Sequence, residues 1–163
     1  MEIIIEKKSN ISQIEKNNII ELLKINNRSE DYICGRVLLY RLIGNKILDI
    51  VYNENGKPYL KDNSIYFNIS HSSGYVVCVV SNNKIGVDIQ KIKKIAKSSL
   101  VFTDEELKDS NIDLVKLWTK KESIIKALGL NMQYMKKIDI SKYNIKTRTI
   151  DNDYILSICE IKE

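Results

Sequence analysis

Between residues 47 and 90 the chain passes through four β-rich stretches, Ile47 to Tyr52, Ile65 to Ser70, Tyr75 to Ser81 and Ile85 to Gln90. They are separated by Asn-Glu-Asn-Gly, Lys-Asp-Asn-Ser, His-Ser-Ser-Gly and Asn-Asn-Lys, clusters of the residues that tolerate turns. So many breaks leave no room for a long helix, and the stretch predicts a sheet with antiparallel strands. Helical patterns flank it on both sides. Residues 29–43 carry a stripe of Ile33, Val37, Leu38 and Leu42 behind Ser29, Glu30 and Asp31, a cap and two acids suited to a helix start, with Gly44 and Asn45 at its end. Residues 112–128 place Leu114, Leu117, Trp118, Ile124, Ile125 and Leu128 inward and stop at Gly129. Helix and sheet therefore occur together in this chain.

The remaining segments extend this reading. A first strand is expected over residues 2–6 and a helix over 11–24, with Asn10 or Ser12 as its cap and Ile11, Ile14, Ile19, Leu22 and Leu23 as its apolar positions. Thr103 and Glu106 form a capping-box pattern for a short helix over 103–109. Strands follow at Ile138 to Ile140, Lys146 to Ile150 and Tyr154 to Ile161, with Asp151-Asn152-Asp153 as a hairpin turn. No linker or sequence repeat divides the 163 residues, and a chain of that length buries enough surface to fold without disulfides or metal.

The formal charge of +5 favours anionic partners but selects none of them. With 28 Ile, 22 Lys and 16 Asn against four Arg, the Lys excess follows a general compositional skew. No spacing of a nucleic-acid reader is present, so that class rests on charge alone and no nucleic-acid partner is expected. Cys34, Cys78 and Cys159 are odd in number and sit in apolar contexts, as buried thiols in a reducing compartment do. The N-terminal apolar run is too short for a signal peptide and no segment is long enough to span a membrane. A cytoplasmic protein without a membrane partner is expected.

Four segments could carry chemistry. In Ile85-Gly86-Val87-Asp88-Ile89-Gln90, strand alternation sends Val87 and Ile89 to the core and sets Gly86, Asp88 and Gln90 on the other face. Asp88 is then an acid on a rigid element, with a second oxygen donor two residues away, and Gly86 leaves space for a ligand. The plainer reading is a solvent-facing strand end. Glu122 and Lys126 lie one helical turn apart, either as an ordinary surface ion pair or as an acid sharing a divalent metal with Asp88 beside a lysine for phosphate oxygens. Phe67-Asn68-Ile69-Ser70-His71-Ser72-Ser73-Gly74 reads as a strand emptying into a small-residue loop able to bind phosphate, or as a loop with an inert histidine. Asn55-Gly56-Lys57-Pro58 is a turn that holds a lysine on a stiffened loop.

Taken in order, Gly56-Lys57-Pro58, Phe67-Asn68-Ile69-Ser70-His71-Ser72, Ile85-Gly86-Val87-Asp88-Ile89, Phe102-Thr103-Asp104-Glu105-Glu106 and Trp118-x-x-Lys121-Glu122-x-x-x-Lys126 resemble the 4'-phosphopantetheinyl transferases. The similarity is to the Sfp-like type and covers roughly residues 28–130; the Gly-x-Asp lies mid-chain, after the Ser-His-Ser segment. It implies two similar α+β halves about a pseudo-twofold axis, approximately 1–84 and 85–163, with coenzyme A between them as co-substrate. It also implies transfer of the 4'-phosphopantetheine arm to a serine of an acidic acyl or peptidyl carrier protein, leaving 3',5'-ADP. By family position Asp88 and Glu122 hold Mg2+, with Mn2+ as an alternative, and Gln90 completes the metal set. Lys126 stabilises or protonates the leaving phosphate, and Glu122, directly or through water, is the base. Lys57, Ser70 and His71 hold the 3'-phosphoadenosine end, together with Lys126 and, as a phosphate contact, Arg28.

Two departures stand out. The family's Asp-x-Glu reads Asp88-Ile89-Gln90, which exchanges a carboxylate for an amide and opens the alternative of a non-catalytic homologue that binds coenzyme A or a carrier. The chain is also short, with the basic stretch before the second helix reduced to Lys24-Ile25-Asn26-Asn27-Arg28. Two halves in one chain imply a monomer. Fatty-acid, polyketide and nonribosomal-peptide carriers all fit the expected partner class.

Overall fold

The computed structural model describes residues 1–44, 48–93, 98–110 and 113–162. The readings at Asn45, Ile47 and Ile112 lie outside them. Strand β1 (Glu2–Lys7) leads into α1 (Gln13–Leu23), where Ser12 is the cap and exchanges hydrogen bonds with Glu15 in a capping box. Helix α2 (Glu30–Ile43) starts at Ser29, whose hydroxyl accepts from the Tyr32 amide, and ends at Gly44. Strands β2 (Ile50–Tyr52) and β3 (Pro58–Leu60) form a small hairpin, followed by β4 (Tyr66–Ser72), β5 (Tyr75–Ser81) and β6 (Lys84–Lys91). Helix α3 (Asp104–Lys108) has the expected Thr103–Glu106 capping box, and α4 (Leu114–Leu128) is capped by Asp113 and closed by Gly129 at φ 71°. Strands β7 (Ile145–Ile150) and β8 (Tyr154–Ile161) complete the fold.

Every ladder among the described residues is antiparallel, but the strands between residues 50 and 91 do not form one sheet. One three-stranded sheet has the order β1-β5-β4, a second has β6-β8-β7, and β2 pairs only with β3. The reason is that β1 and β4 occupy the two edges of β5, so β6 takes β8 as its ladder partner. The two sheets still meet. The side-chain oxygens of Asn68, Ser70 and Ser72 on β4 accept from the amides of Val87, Ile89 and Lys91 on β6 at 2.9, 3.3 and 3.0 Å. Both strands ascend together along this seam, so polar side chains do between parallel neighbours what carbonyls do within a sheet.

Each sheet also repeats one connectivity: first strand, helices, then two hairpin strands of which the last is central. Strand β5 is buried along its whole length because its faces serve two cores. Val76, Cys78 and Val80 meet α1 and α2, while Tyr75, Val77 and Val79 meet Ile85, Val87 and Ile89 of β6 and Leu156 and Ile158 of β8. This explains why the Val-Val-Cys-Val-Val run shows no alternation. All three cysteines are free and buried, as their apolar contexts suggested.

Other expectations change. Ile138 to Ile140 is not a strand: short 3-10 turns cover Met132–Lys137 and Ile140–Lys142, the latter capped by Asp139, while Ile138 and Ile140 pack beside α4. The small-residue loop at His71 is absent, because β4 runs through Ser72 and only Ser73 and Gly74 make the turn into β5. Ile14, Leu22 and Leu128 face outward rather than into the core. Strand β3, with a proline at its start, escaped the sequence reading because the stretch looks like an ordinary turn; it lies at the edge of its hairpin, where a missing amide is tolerated.

Candidate active site

The site grows from the crossing of β6 and α4. A Cβ at Gly86 would stand 2.1 Å from the Ser123 carbonyl oxygen and 2.3 Å from the Ala127 amide nitrogen. Glycine is required here so that the helix backbone can lie on the strand; the close neighbour is α4, not a ligand. Val87 and Ile89 point into the shared core, and Asp88 shares the helix-facing side with Gly86, as the alternation predicted. The plainer reading of Asp88 as a solvent-facing residue is overturned, since it is 5% exposed.

Lys126 Nζ lies 2.6 Å from Asp88 Oδ1 and 3.2 Å from Glu122 Oε2, so one ammonium bridges a carboxylate of the strand and a carboxylate of its own helix. The Glu122–Lys126 pair is thus part of a half-buried cluster rather than a surface ion pair. Ser70 joins it from β4: its hydroxyl donates to Asp88 Oδ1 at 3.0 Å and accepts from Lys126 and from the Ile89 amide. Burial pushes the Asp88 carboxyl up to about 6 against the pull of Lys126. Burial opposes charge on Lys126, but Asp88 and Glu122 outweigh it and hold its pKa above the ordinary lysine value.

Asp88 Oδ2 is buried and has no hydrogen-bond partner among the described residues. An orphaned carboxylate oxygen costs free energy unless something cationic meets it. Two carboxylates against one ammonium leave an excess negative charge facing the same place. Gln90 lies on the same face of β6, half-buried, two residues beyond Asp88. No group of three His, Cys, Asp or Glu gathers among the described residues, so no all-protein cage forms. One or two carboxylates completed by phosphates and water is how Mg2+ is usually held, and this donor set fits that ion.

The other candidates stand around this centre. Lys57 emerges from the β2–β3 turn, and its Nζ donates to the carbonyls of Ala127 at 3.2 Å and Ile85 at 3.4 Å, along the same β6–α4 seam. Burial, with a smaller contribution from Lys84, pulls its pKa down to about 8. His71, the residue after Ser70, contacts Asp31 at the start of α2, with its Nδ1 3.3 Å from Asp31 Oδ2. Arg28 is exposed and lies over the Tyr32 ring. The structure therefore gathers Asp88, Glu122, Lys126 and Ser70 into one cluster, sets Lys57 beside it, and leaves His71 and Arg28 at the α2 side.

Two buried features went unread in the sequence. Lys121 is fully buried, pairing with the cap residue Glu106 at 2.7 Å and donating to the Val101 carbonyl, which ties the chain ahead of α3 to α4 next to Glu122. Asn68 works in the seam with Ser70 and Ser72; their period-two spacing on a strand was the available signal.

Two carboxylates and a bridging ammonium on an α+β scaffold are a donor set that suits a divalent cation and phosphoryl groups. Comparison with known proteins agrees with that class. Residues 84–159, which contain Asp88, Glu122 and Lys126, match the model of the 4'-phosphopantetheinyl transferase superfamily. The 4'-phosphopantetheinyl transferase gsp of Aneurinibacillus migulanus is 39% identical over 90 residues, covering 49% of this chain and 38% of that protein. The 4'-phosphopantetheinyl transferase Sfp of Bacillus subtilis (strain 168) is 32% identical over 134 residues, covering 65% of this chain and 60% of its own. The 4'-phosphopantetheinyl transferase AcpT of Salmonella typhi is 28% identical over 116 residues, covering 63% and 60%. These matches place residues 84–159 in the 4'-phosphopantetheinyl transferase superfamily and make the chain a homologue of its Sfp-like transferases. The chain aligns with only about 40–60% of the length of these curated relatives.

Proposed function

We propose that this protein transfers the 4'-phosphopantetheine arm of coenzyme A to a serine of an apo acyl or peptidyl carrier protein and releases 3',5'-ADP. The observation that carries the reading is the Lys126 ammonium held between Asp88 and Glu122 beside an unpartnered Asp88 oxygen. In the reaction the serine oxygen bonds to the phosphorus bearing pantetheine, and the bridging P–O bond to 3',5'-ADP breaks. Glu122 takes the serine proton, directly or through water. Lys126 supplies charge, or a proton, to the phosphate oxygen that leaves. Asp88 and Glu122, with Gln90 as a neutral donor, would hold Mg2+, whose chemistry is to neutralise charge on the pyrophosphate. Ser70 orients Asp88 and Lys126 from β4, and Lys57, His71 and Arg28 serve the nucleotide end.

The common strand order of the two sheets supports two halves, 1–84 and 85–163, related by a pseudo-twofold axis. A monomer in the cytoplasm follows from the same family reading. Among the described residues no helix is long and apolar enough to cross a membrane.

Incubating apo carrier proteins with coenzyme A, Mg2+ and the protein, followed by mass spectrometry, tests the proposal. One added arm is expected. Asp88→Ala and Glu122→Ala are each expected to abolish it while the circular dichroism spectrum stays unchanged. No adduct on several acyl and peptidyl carriers overturns transfer; coenzyme A binding without transfer identifies instead the binding homologue that Gln90 suggests.

A further inference from the structure

Among the described residues, the two sheets are stitched together along one flank of their shared core, where Asn68, Ser70 and Ser72 of β4 accept from the β6 amides. On the other flank β1 and β7 are neighbours but not ladder partners. Lys7, at the end of β1, reaches Asp151 in the turn after β7 at 3.2 Å, and Met1 and Lys146, at the strand beginnings, line one cavity of about 320 Å3. The two strands therefore run in the same direction with a groove between them. The Lys8 amide donates to the Gly74 carbonyl, whereas the Lys7 amide donates to the Glu6 side chain. Ladder alternation then turns the amides and carbonyls of Ile3 and Ile5 away from β5 and into the groove.

The side chains that β7 turns toward the core cannot serve those amides. Lys146 and Arg148 stand opposite Ile158 and Leu156 of β8, so they share the core-facing side of their sheet with Ile150, yet both are exposed. Lysine and arginine only donate, where the asparagine and serines of β4 accept. Neither cation has a carboxylate partner among the described residues. Glu160, the acid in the cavity, is engaged by Ser81 and Asn83, while Lys142 pairs with Asp139 at 3.7 Å and Lys162 adds a further ammonium. The floor between the walls is apolar, formed by Ile3, Ile5 and Ile158. Both walls thus lack acceptors. An extended acidic chain supplies both kinds, carbonyls for the β1 amides and carboxylates for the β7 cations, whereas a second basic edge is repelled.

We infer that this groove takes up an extended acidic segment of a partner protein, which adds a strand to β1 and sets alternate carboxylates against Lys146 and Arg148. It lies on the face of the β6-β8-β7 sheet opposite Asp88, and the inference does not rest on the transfer reaction. Fluorescence anisotropy with a labelled, capped octapeptide alternating glutamate and valine tests it. One peptide is expected per chain, and its lysine–valine counterpart should not bind. Lys146→Glu and Arg148→Glu should each weaken binding by about tenfold, the loss of one charge-assisted contact, and together abolish it. Thermal melts should stay unchanged, since both side chains are exposed. Strand addition has a signature that charge attraction alone does not produce: hydrogen exchange at the Ile3 and Ile5 amides, followed by NMR, should slow by about tenfold or more at saturating peptide. Saturating coenzyme A should leave the affinity unchanged. Absence of binding, binding without protection of Ile3 and Ile5, or displacement by coenzyme A overturns the inference whatever the carrier assay shows. A dimer in sedimentation equilibrium that the peptide dissociates overturns it too, by giving the groove to a second copy of the chain.

Discussion

Lys57 shows how a proposed binding position trades against stability. Its ammonium is half-buried and donates, among the described residues, only to carbonyls, and its pKa falls from 10.5 to about 8. A lysine depressed in this way binds fewer protons folded than unfolded between those values. Stability from this group therefore rises as pH climbs from about 8 to 10.5, and at pH 7 the charge is a cost. Lys57→Met should stabilise the protein by about 1–2 kcal/mol at pH 7, less than the full shift implies because two carbonyl bonds are lost. Urea denaturation at pH 7 and near pH 10 should show the gain fading, while coenzyme A affinity, measured by titration, falls. Gain at pH 7 with unchanged affinity would remove Lys57 from the binding site.

Among elements, the two contacts of β6 decide whether the cluster exists. Gly86→Ala should cost about 3 kcal/mol or more, because helix backbone on the far side of the clash cannot yield as a side chain would. It should also part Asp88 from Lys126, so that urea midpoint and transfer rate fall together. On the other edge, Asn68→Ala leaves the Val87 amide buried without an acceptor, an expected loss of about 1–3 kcal/mol in the same denaturation assay. A neutral result there would mean that β4 and β6 are held by apolar packing alone. Sequence alternation predicted which face of β6 carries Asp88. It could not predict the seam, since Asn68, Ser70 and Ser72 look like any polar strand face until a parallel neighbour arrives.

For the whole molecule, the core between the sheets is assembled from both parts of the chain: Tyr75, Val77 and Val79 come from one, and Val87, Ile89 and Leu156 from the other. Fragments 1–83 and 84–163, produced separately, should each lack a cooperative thermal transition, and mixing them should restore it by circular dichroism. A cooperative melt in either fragment alone would show that its sheet is stable without the other's apolar face.

Local order was legible in the residues themselves. Caps at Ser12, Ser29 and Thr103, the stop at Gly129 and the period of β6 depend on neighbours within a few positions, and each formed as its chemistry dictates. The ordered motifs also pointed to the superfamily whose model residues 84–159 match. Pairing and burial were decided only by the tertiary structure, because they depend on which distant edge is free. That is why the expected single sheet became two sheets and a hairpin, and why the Gly86 space went to α4. The excess of positive charge is placed by the same long-range packing: Lys126 lies between carboxylates and Arg36 behind tyrosines, and a net charge of +5 says nothing about either environment.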